Sequence, residues 1–218
     1  MKKIYFLLAF ATTLFAAGAQ TSIKNDPDAK KILDKVSAKF KTYKSPQAAF
    51  SYQVENAQGK VLSTKKGTVR MSGSKYYVSM GGLEIFSDGR TSWSYDKSAN
   101  EVTVNGVDAA GNNMTPQKLF TNFYDKDFLY KLNGEKKIGG KKVQEIEMTP
   151  IDKTRPFHKV YVYVDKDANT IYSTKFLEKS GNRYSYTINS LKPNVASSDA
   201  DFAFDKKKYP GVEVVDLR

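Results

Sequence analysis

Between Phe50 and Val104, apolar and polar residues alternate with a period of two. Phe50, Tyr52 and Val54 alternate with polar neighbours until "NAQGK" turns the chain, and Val69 and Met71 follow before "SGS". "KYYVSM" comes next, then Leu83 and Ile85 lead into "SDGRTSWSYDK", which ends at "DKSAN" before Val102 and Val104. Trp93 and Tyr95 alternate with Ser92 and Ser94, so their rings share one face of a strand. Short strands separated by turn residues at such intervals predict a meander that closes into a barrel or stacks as a sandwich.

The flanks differ. "NDPDAKKILDKVSAKFKTYKS" predicts a helix, with Asp26 placed to cap it and Pro27 at its first position. Ile32, Val36 and Phe40 fall at i, i+4 and i+8, with Leu33 and Tyr43 beside them, which makes one apolar stripe for docking on a sheet. Between about 106 and 132 the alternation stops. "GVDAAGNN" reads as loop, and "TPQKLFTNFYDKDFLYKL" reads as short, broken helix with Thr115 as cap and Pro116 at the first helical position. Strands resume at "KKVQEIEM", "FHKVYVYV", "TIYSTKFLE" and "RYSYTI", and the tail "FAFDKKKYPGVEVVDLR" adds a short extended segment. No repeat or linker divides the chain.

Ahead of the helix, Lys2 and Lys3 precede "IYFLLAFATTLFA", an apolar run too short and poorly flanked to span a membrane, and Ala17-Gly18-Ala19 reads as a cleavage site. The expectation is a signal peptide over residues 1–19 and a single exported, soluble domain over 20–218. The chain has no cysteine. No disulfide supports the exported fold, which must rest on its core, and no thiol is present to carry a lipid anchor. The formal charge is +12, and loss of Lys2 and Lys3 would leave +10. Export argues against nucleic acid as a partner. Lys65-Lys66, Lys136-Lys137, Lys141-Lys142 and Lys206 to Lys208 sit at or near expected strand ends as solvated turns, and weak attraction to an anionic membrane surface is the sharper alternative.

Catalytic chemistry finds no support. His158 is the single histidine and has no cysteine to work with, which argues against a histidine metal site or a thiol nucleophile. "DKDAN" at 165–169 starts like a calcium loop, but Thr170 stands where the turn glycine belongs and Phe176 where the closing glutamate belongs. Gly81-Gly82 and Gly139-Gly140 read as turns. No acid pair marks a hydrolase, so neither enzyme activity nor a cofactor is expected. The aromatic content stands out instead: 13 Phe, 14 Tyr and one Trp. A closed β core and a half-closed sheet with an apolar hollow both accommodate that composition.

Several stretches resemble the LolA family of periplasmic lipoprotein carriers, in the family's order: "LDKVS", "AAFSYQV", "KGTVRM", "FSDGRTSWSYDKSANEV", "TPQKLF" and "DFAFDKKKYPGVEVVD". They span residues 28 to 216. The SDG-x-x-x-W-x-Y hairpin and the closing F-x-F-x-x-x-x-x-PGV pattern are the most specific.

The resemblance implies a mainly β fold: a half-open antiparallel barrel with an N-terminal helix and a helical lid, at about 106–132, over an apolar cavity. It implies a periplasmic, monomeric chaperone for acylated lipoproteins. Such a carrier is loaded by an ATP-driven transporter in the inner membrane and unloads to an outer-membrane acceptor or membrane surface. A lipid-binding or envelope-stress-sensing protein of the same fold is the alternative. The expected cavity wall is Phe50, Tyr52, Met71, Tyr77, Met80, Ile85, Trp93 and Tyr95, and the expected lid residues are Leu119, Phe120, Phe123 and Phe128. The family commonly carries an arginine and a proline in the turn before its third strand, linked to lid closure. Here Ser72, Gly73 and Ser74 stand in that turn, which leaves Lys75 as the candidate latch.

Overall fold

The computed structural model describes residues 25–107, 115–117 and 124–218. The expected signal peptide and three expected lid residues, Leu119, Phe120 and Phe123, lie outside the described residues. Helix α1 (Pro27–Lys41) opens the fold. Six strands follow: β1 (Gln47–Glu55), β2 (Val61–Ser72), β3 (Lys75–Met80), β4 (Leu83–Ser87), β5 (Thr91–Asp96) and β6 (Glu101–Gly106). After the short helix α2 (Tyr124–Asp127) come β7 (Phe128–Ile138), β8 (Lys141–Pro150), β9 (Phe157–Asp165), β10 (Thr170–Glu178), β11 (Arg183–Lys192) and β12 (Glu213–Asp216).

All twelve strands form one open sheet in the order β12-β6-β5-β4-β3-β2-β1-β11-β10-β9-β8-β7. Pairing of β1 with β11 joins the two antiparallel meanders. The expected half-open architecture is present. Among the described strands β12 alone pairs in parallel, beside β6 at the sheet edge. Tight turns support the meander: Gly81 and Gly82 take φ values of 58° and 93°, the left-handed pair that a two-residue hairpin requires.

Helix α1 starts where its cap predicts. The Asp26 carboxylate accepts from the Asp28 and Ala29 backbone N–H groups at 2.8 and 3.3 Å. Its other oxygen accepts from the Leu132 N–H at 2.9 Å, so one side chain both caps the helix and ties it to strand β7. The helix then buries Ala29, Leu33 and Val36 against Tyr130, Ile146, Met148, Val160 and Val162 on the inner face of β7–β9. Ile32 and Phe40 from the expected stripe are only half-buried, and Phe40 reaches a second cluster built on Ala48, Phe50, Val69 and Met71.

The expected helical segment to about 132 needs correction. Tyr124–Asp127 is helical as expected, but Phe128 is already the first residue of β7, fully buried opposite Pro150 of β8. Phe128 stacks on Phe157 with ring centroids 6.2 Å apart, beneath the Arg155 guanidinium at 5.4 Å. Strand pairing and core burial fix it there rather than in a lid.

Candidate functional site

The inner face is read from the register. Phe50 sits opposite Gly67, which sits opposite Met80, and the next rung joins Val69 to Val78 and Val78 to Ile85. In the other direction Tyr52 pairs with Tyr186, which pairs with Thr174. Side chains at these positions share one face, and the curvature of the sheet brings them around a common space.

That space has two adjoining parts. A half-open apolar hollow of about 130 Å³ is lined by Phe50, Val69, Val78, Ile171, Thr174, Tyr186, Ile188 and Pro116. A wider groove of about 620 Å³ shares Val78, Pro116 and Tyr186 with it. Tyr52, Tyr76, Ile85, Phe157, Phe176 and Tyr184 extend the groove's wall, and Glu178 stands at one end. Tyr76 on β3 and Phe157 on β9 border the same groove although four strands lie between them, which measures the curvature.

Aromatic rings form its floor. Tyr52 stacks on Tyr184 at 6.0 Å and meets Tyr186 at 5.0 Å, and Tyr186 continues through Phe176 to Phe157 at 6.3 and 5.3 Å. Phe50 lies flat over β2 because Gly67 has no side chain: an added Cβ would stand 2.5 Å from Phe50 Cζ and 2.8 Å from the Ser79 carbonyl oxygen. Burial raises the phenol pKa of Tyr76 and Tyr186 and, with its tyrosine neighbours and Glu178, pushes Tyr52 to about 12. These hydroxyls stay neutral at any physiological pH, so the walls present apolar faces and uncharged polar tips. Such a surface suits hydrocarbon chains, with few fixed polar anchors to select among them.

Of the expected wall residues, Phe50, Tyr52 and Ile85 border this space. Met71 and Met80 share its face and pack in the cluster beneath it. Tyr77, Trp93 and Tyr95 do not reach it. Tyr77 pairs with Phe86 and Phe86 with Trp93, all on the outer face. The apolar side of the sheet changes over between β4 and β6. There the inner positions become Ser87, Ser92, Ser94, Thr103 and Asn105, while Phe86, Trp93, Tyr95, Val102 and Val104 face outward.

The C-terminal segment covers this outer apolar patch. Phe204 and Tyr209 pack on Tyr95 at 6.0 and 4.4 Å, with Val212 buried beside them. Glu84 fastens the layer by accepting from the hydroxyls of Tyr77 and Tyr209 at 2.7 and 2.6 Å. Trp93 and Tyr95 therefore belong to a core under the chain's own tail.

Lys75 is also placed differently from expectation. Its ammonium pairs with Asp199 at 2.5 Å, in the C-terminal segment. Its backbone carbonyl instead accepts from the Gln117 side-chain amide at 2.9 Å, and the Gly73 carbonyl accepts from the same nitrogen at 3.2 Å. The β2–β3 turn thus holds residues 115–117 beside the groove, with Pro116 forming part of its wall.

Comparison with known proteins agrees with this architecture. The family model described as outer membrane lipoprotein carrier protein LolA matches residues 41–205. An outer-membrane lipoprotein carrier protein of Serratia proteamaculans is 28% identical over 215 residues, covering 97% of this chain and 98% of that one. Among solved structures, an uncharacterized conserved protein from Thermus thermophilus aligns with a TM-score of 0.58 at 13% identity, over 87% of this chain and 99% of that chain. The Mycobacterium tuberculosis lipoprotein LppX aligns with a TM-score of 0.51 at 10% identity, over 80% of this chain and all of that one. At those identities the two structures support the fold alone.

Proposed function

This chain belongs to the LolA family of outer membrane lipoprotein carrier proteins, and we propose that it is a periplasmic carrier of lipoproteins whose acyl chains lie in the inner-face groove. The observation that carries this reading is the groove itself. It is a space of about 620 Å³ walled by tyrosine, phenylalanine and aliphatic side chains and adjoining a smaller apolar hollow. That volume falls within the roughly 300–1,000 Å³ typical of small-molecule sites.

The physical need is plain. Each buried CH₂ is worth about 0.8 kcal/mol, so a lipoprotein carrying several long chains does not cross water unaided. A carrier must cover those chains and still release them. Aromatic walls with neutral hydroxyl tips provide cover without strong directional bonds. In this reading the cargo arrives from an ATP-driven transporter in the inner membrane and leaves to an outer-membrane acceptor or the membrane surface. The role requires no catalytic group.

The test is a release assay. Spheroplasts from the source cells are incubated with the purified chain, and the soluble fraction is probed for acylated protein. Release that depends on ATP and on the added chain supports the proposal. Lipoproteins that stay with the spheroplasts at every concentration of the chain contradict it.

A further inference from the structure

The residues that line the groove and the hollow fall in order along the strands. On β11, Tyr184 borders the groove, Tyr186 borders both spaces and Ile188 borders the hollow. On β10 the order is Glu178 and Phe176 at the groove, then Thr174 and Ile171 at the hollow, and on β1 it is Tyr52, then Phe50. Because β1 and β10 both pair antiparallel with β11, the two spaces follow one another along the strands, with the hollow at the end away from Glu178. The hollow's lining is aliphatic or aromatic apart from Thr174. A hydrocarbon chain laid along the groove therefore points its terminal methyl into the hollow and its polar end toward Glu178.

Two isoleucines bound that end. Ile171 and Ile188 line the hollow, and both also line a separate crevice of about 300 Å³ with Lys39, Tyr43, Asp165 and Asn189. Their side chains are the partition between an apolar space and a polar one. In the crevice Lys141 pairs with Asp165 at 2.6 Å, and the Lys39 ammonium donates to the Ala168 carbonyl. The inner-face position beyond Phe50 on β1 is Ala48, 1% exposed and packed in one cluster with Met71, Phe40 and Leu191, so that direction is filled. A chain pushed past the isoleucines gains no apolar cover and strips water from the ion pair.

We propose that groove and hollow form an acyl-chain ruler in which Ile171 and Ile188 stop the terminal methyl, so that the site selects chains by length. The ruler rests on the groove being the acyl site and adds the chain it takes. From Glu178 to Ile171, β10 runs roughly 20 Å at about 3.3 Å per residue, allowing for two register shifts against β9. An extended hydrocarbon of about 1.5 Å bonds advances about 1.25 Å per carbon, so that length holds about 16 carbons. The hollow, at about 130 Å³, approaches the roughly 150 Å³ of an apolar cavity that binds benzene, so it takes about the last five of them.

The experiment is displacement of a fluorescent acyl probe from the full exported chain by monoacyl lipopeptides of one head group. Their chains run from ~10 to ~20 carbons, each below its micelle concentration. Affinity should rise about two- to fourfold per methylene up to about 16 carbons and then level off. Ile171→Ala opens the partition and should move the break about two carbons longer, and Ile171→Val, which keeps most of the core, about one. Ile188→Phe fills the hollow and should move the break about two carbons shorter. Ile85→Ala, on the groove wall outside the hollow, should weaken every length alike and leave the break in place. Affinity that climbs without a break through ~20 carbons overturns the ruler and leaves the groove standing. A break that stays put in Ile171→Val and in whichever other isoleucine variants keep the native circular dichroism overturns the stop, as does one that moves with Ile85→Ala. If no chain length displaces the probe, the acyl groove is wrong and the ruler falls with it.

Discussion

Tyr76 and Tyr77 are neighbours in "KYYV" and face opposite sides of the sheet, so truncating each to alanine should break a different property. Tyr76 borders the groove and its hydroxyl meets the buried Ser87. Tyr77 donates to Glu84 at 2.7 Å and packs on Phe86 with centroids 4.8 Å apart, in the layer closed by the C-terminal segment. Tyr77→Ala removes a hydrogen bond to a carboxylate, about 1.5–3 kcal/mol, taken at the low end because the site is half-exposed and Tyr209 still donates to Glu84. It also removes a ring pair worth about 0.5–1.5 kcal/mol. The loss is then about 2–4 kcal/mol, or roughly 5–15 °C in melting temperature for a domain of this size. Acyl-probe binding should barely change.

Tyr76→Ala removes one side of the cover from about three methylenes, about 1–1.5 kcal/mol, and should weaken the probe about tenfold. Its own stability loss should be smaller, about 1–2 kcal/mol. Fluorescence titration and thermal circular dichroism on both variants decide the matter. Equal loss of probe binding in the two variants, or none in Tyr76→Ala, would refute the assignment of faces.

Further outcomes follow from named contacts. Gly67→Ala should cost about 1–3 kcal/mol, read from urea unfolding, because the new methyl forces Phe50 off β2, and it should reduce probe binding as the ring enters the hollow. Asp26→Ala should cost about 1–2 kcal/mol through the lost helix cap and the lost tie to Leu132. Backbone donation from Leu132, then from Asp28 and Ala29, holds the Asp26 carboxyl below its usual range, so its contribution is full above about pH 4 and lost as pH falls through the folded value. Urea midpoints of wild type and variant should therefore converge in acid, and a constant gap down to pH 2 would contradict the cap. Lys75→Ala should cost under about 1 kcal/mol, since it breaks an exposed pair with Asp199, and should leave probe binding unchanged. Gln117→Ala should speed hydrogen exchange at residue 117 and weaken the probe, and unchanged values would remove it as an anchor.

Much of the fold is legible in the chain. Asp26-Pro27 marks the start of α1, and the period of two marks nearly every strand. Faces within a strand are legible too, but how one strand's face relates to the next depends on pairing register. "KYYV" offers a tyrosine to each side, and only the pairing of Val69 with Val78 says which one is inside. The change of apolar side at β5 and β6 looks, strand by strand, like ordinary alternation. It becomes intelligible only when Phe204, Tyr209 and Val212 return from the far end of the sequence to cover Trp93 and Tyr95. Tyr184, Tyr186 and Ile188 in "RYSYTI" carried a readable signal for the groove wall, but their neighbours β1 and β10 are distant in sequence or across a turn. "KDFLYKL" fits a helical spacing, and pairing of Phe128–Ile138 with β8 overrides that local pattern.

The most direct test of the account is what fills the groove in the cell. The protein is isolated from the periplasm of its own cells without detergent and weighed by native mass spectrometry, and the bound species is then released and sequenced. The account predicts one acylated lipoprotein per chain, with occupancy reduced by Tyr76→Ala and retained by Tyr77→Ala. A groove that carries only phospholipid, or occupancy indifferent to Tyr76, would contradict it.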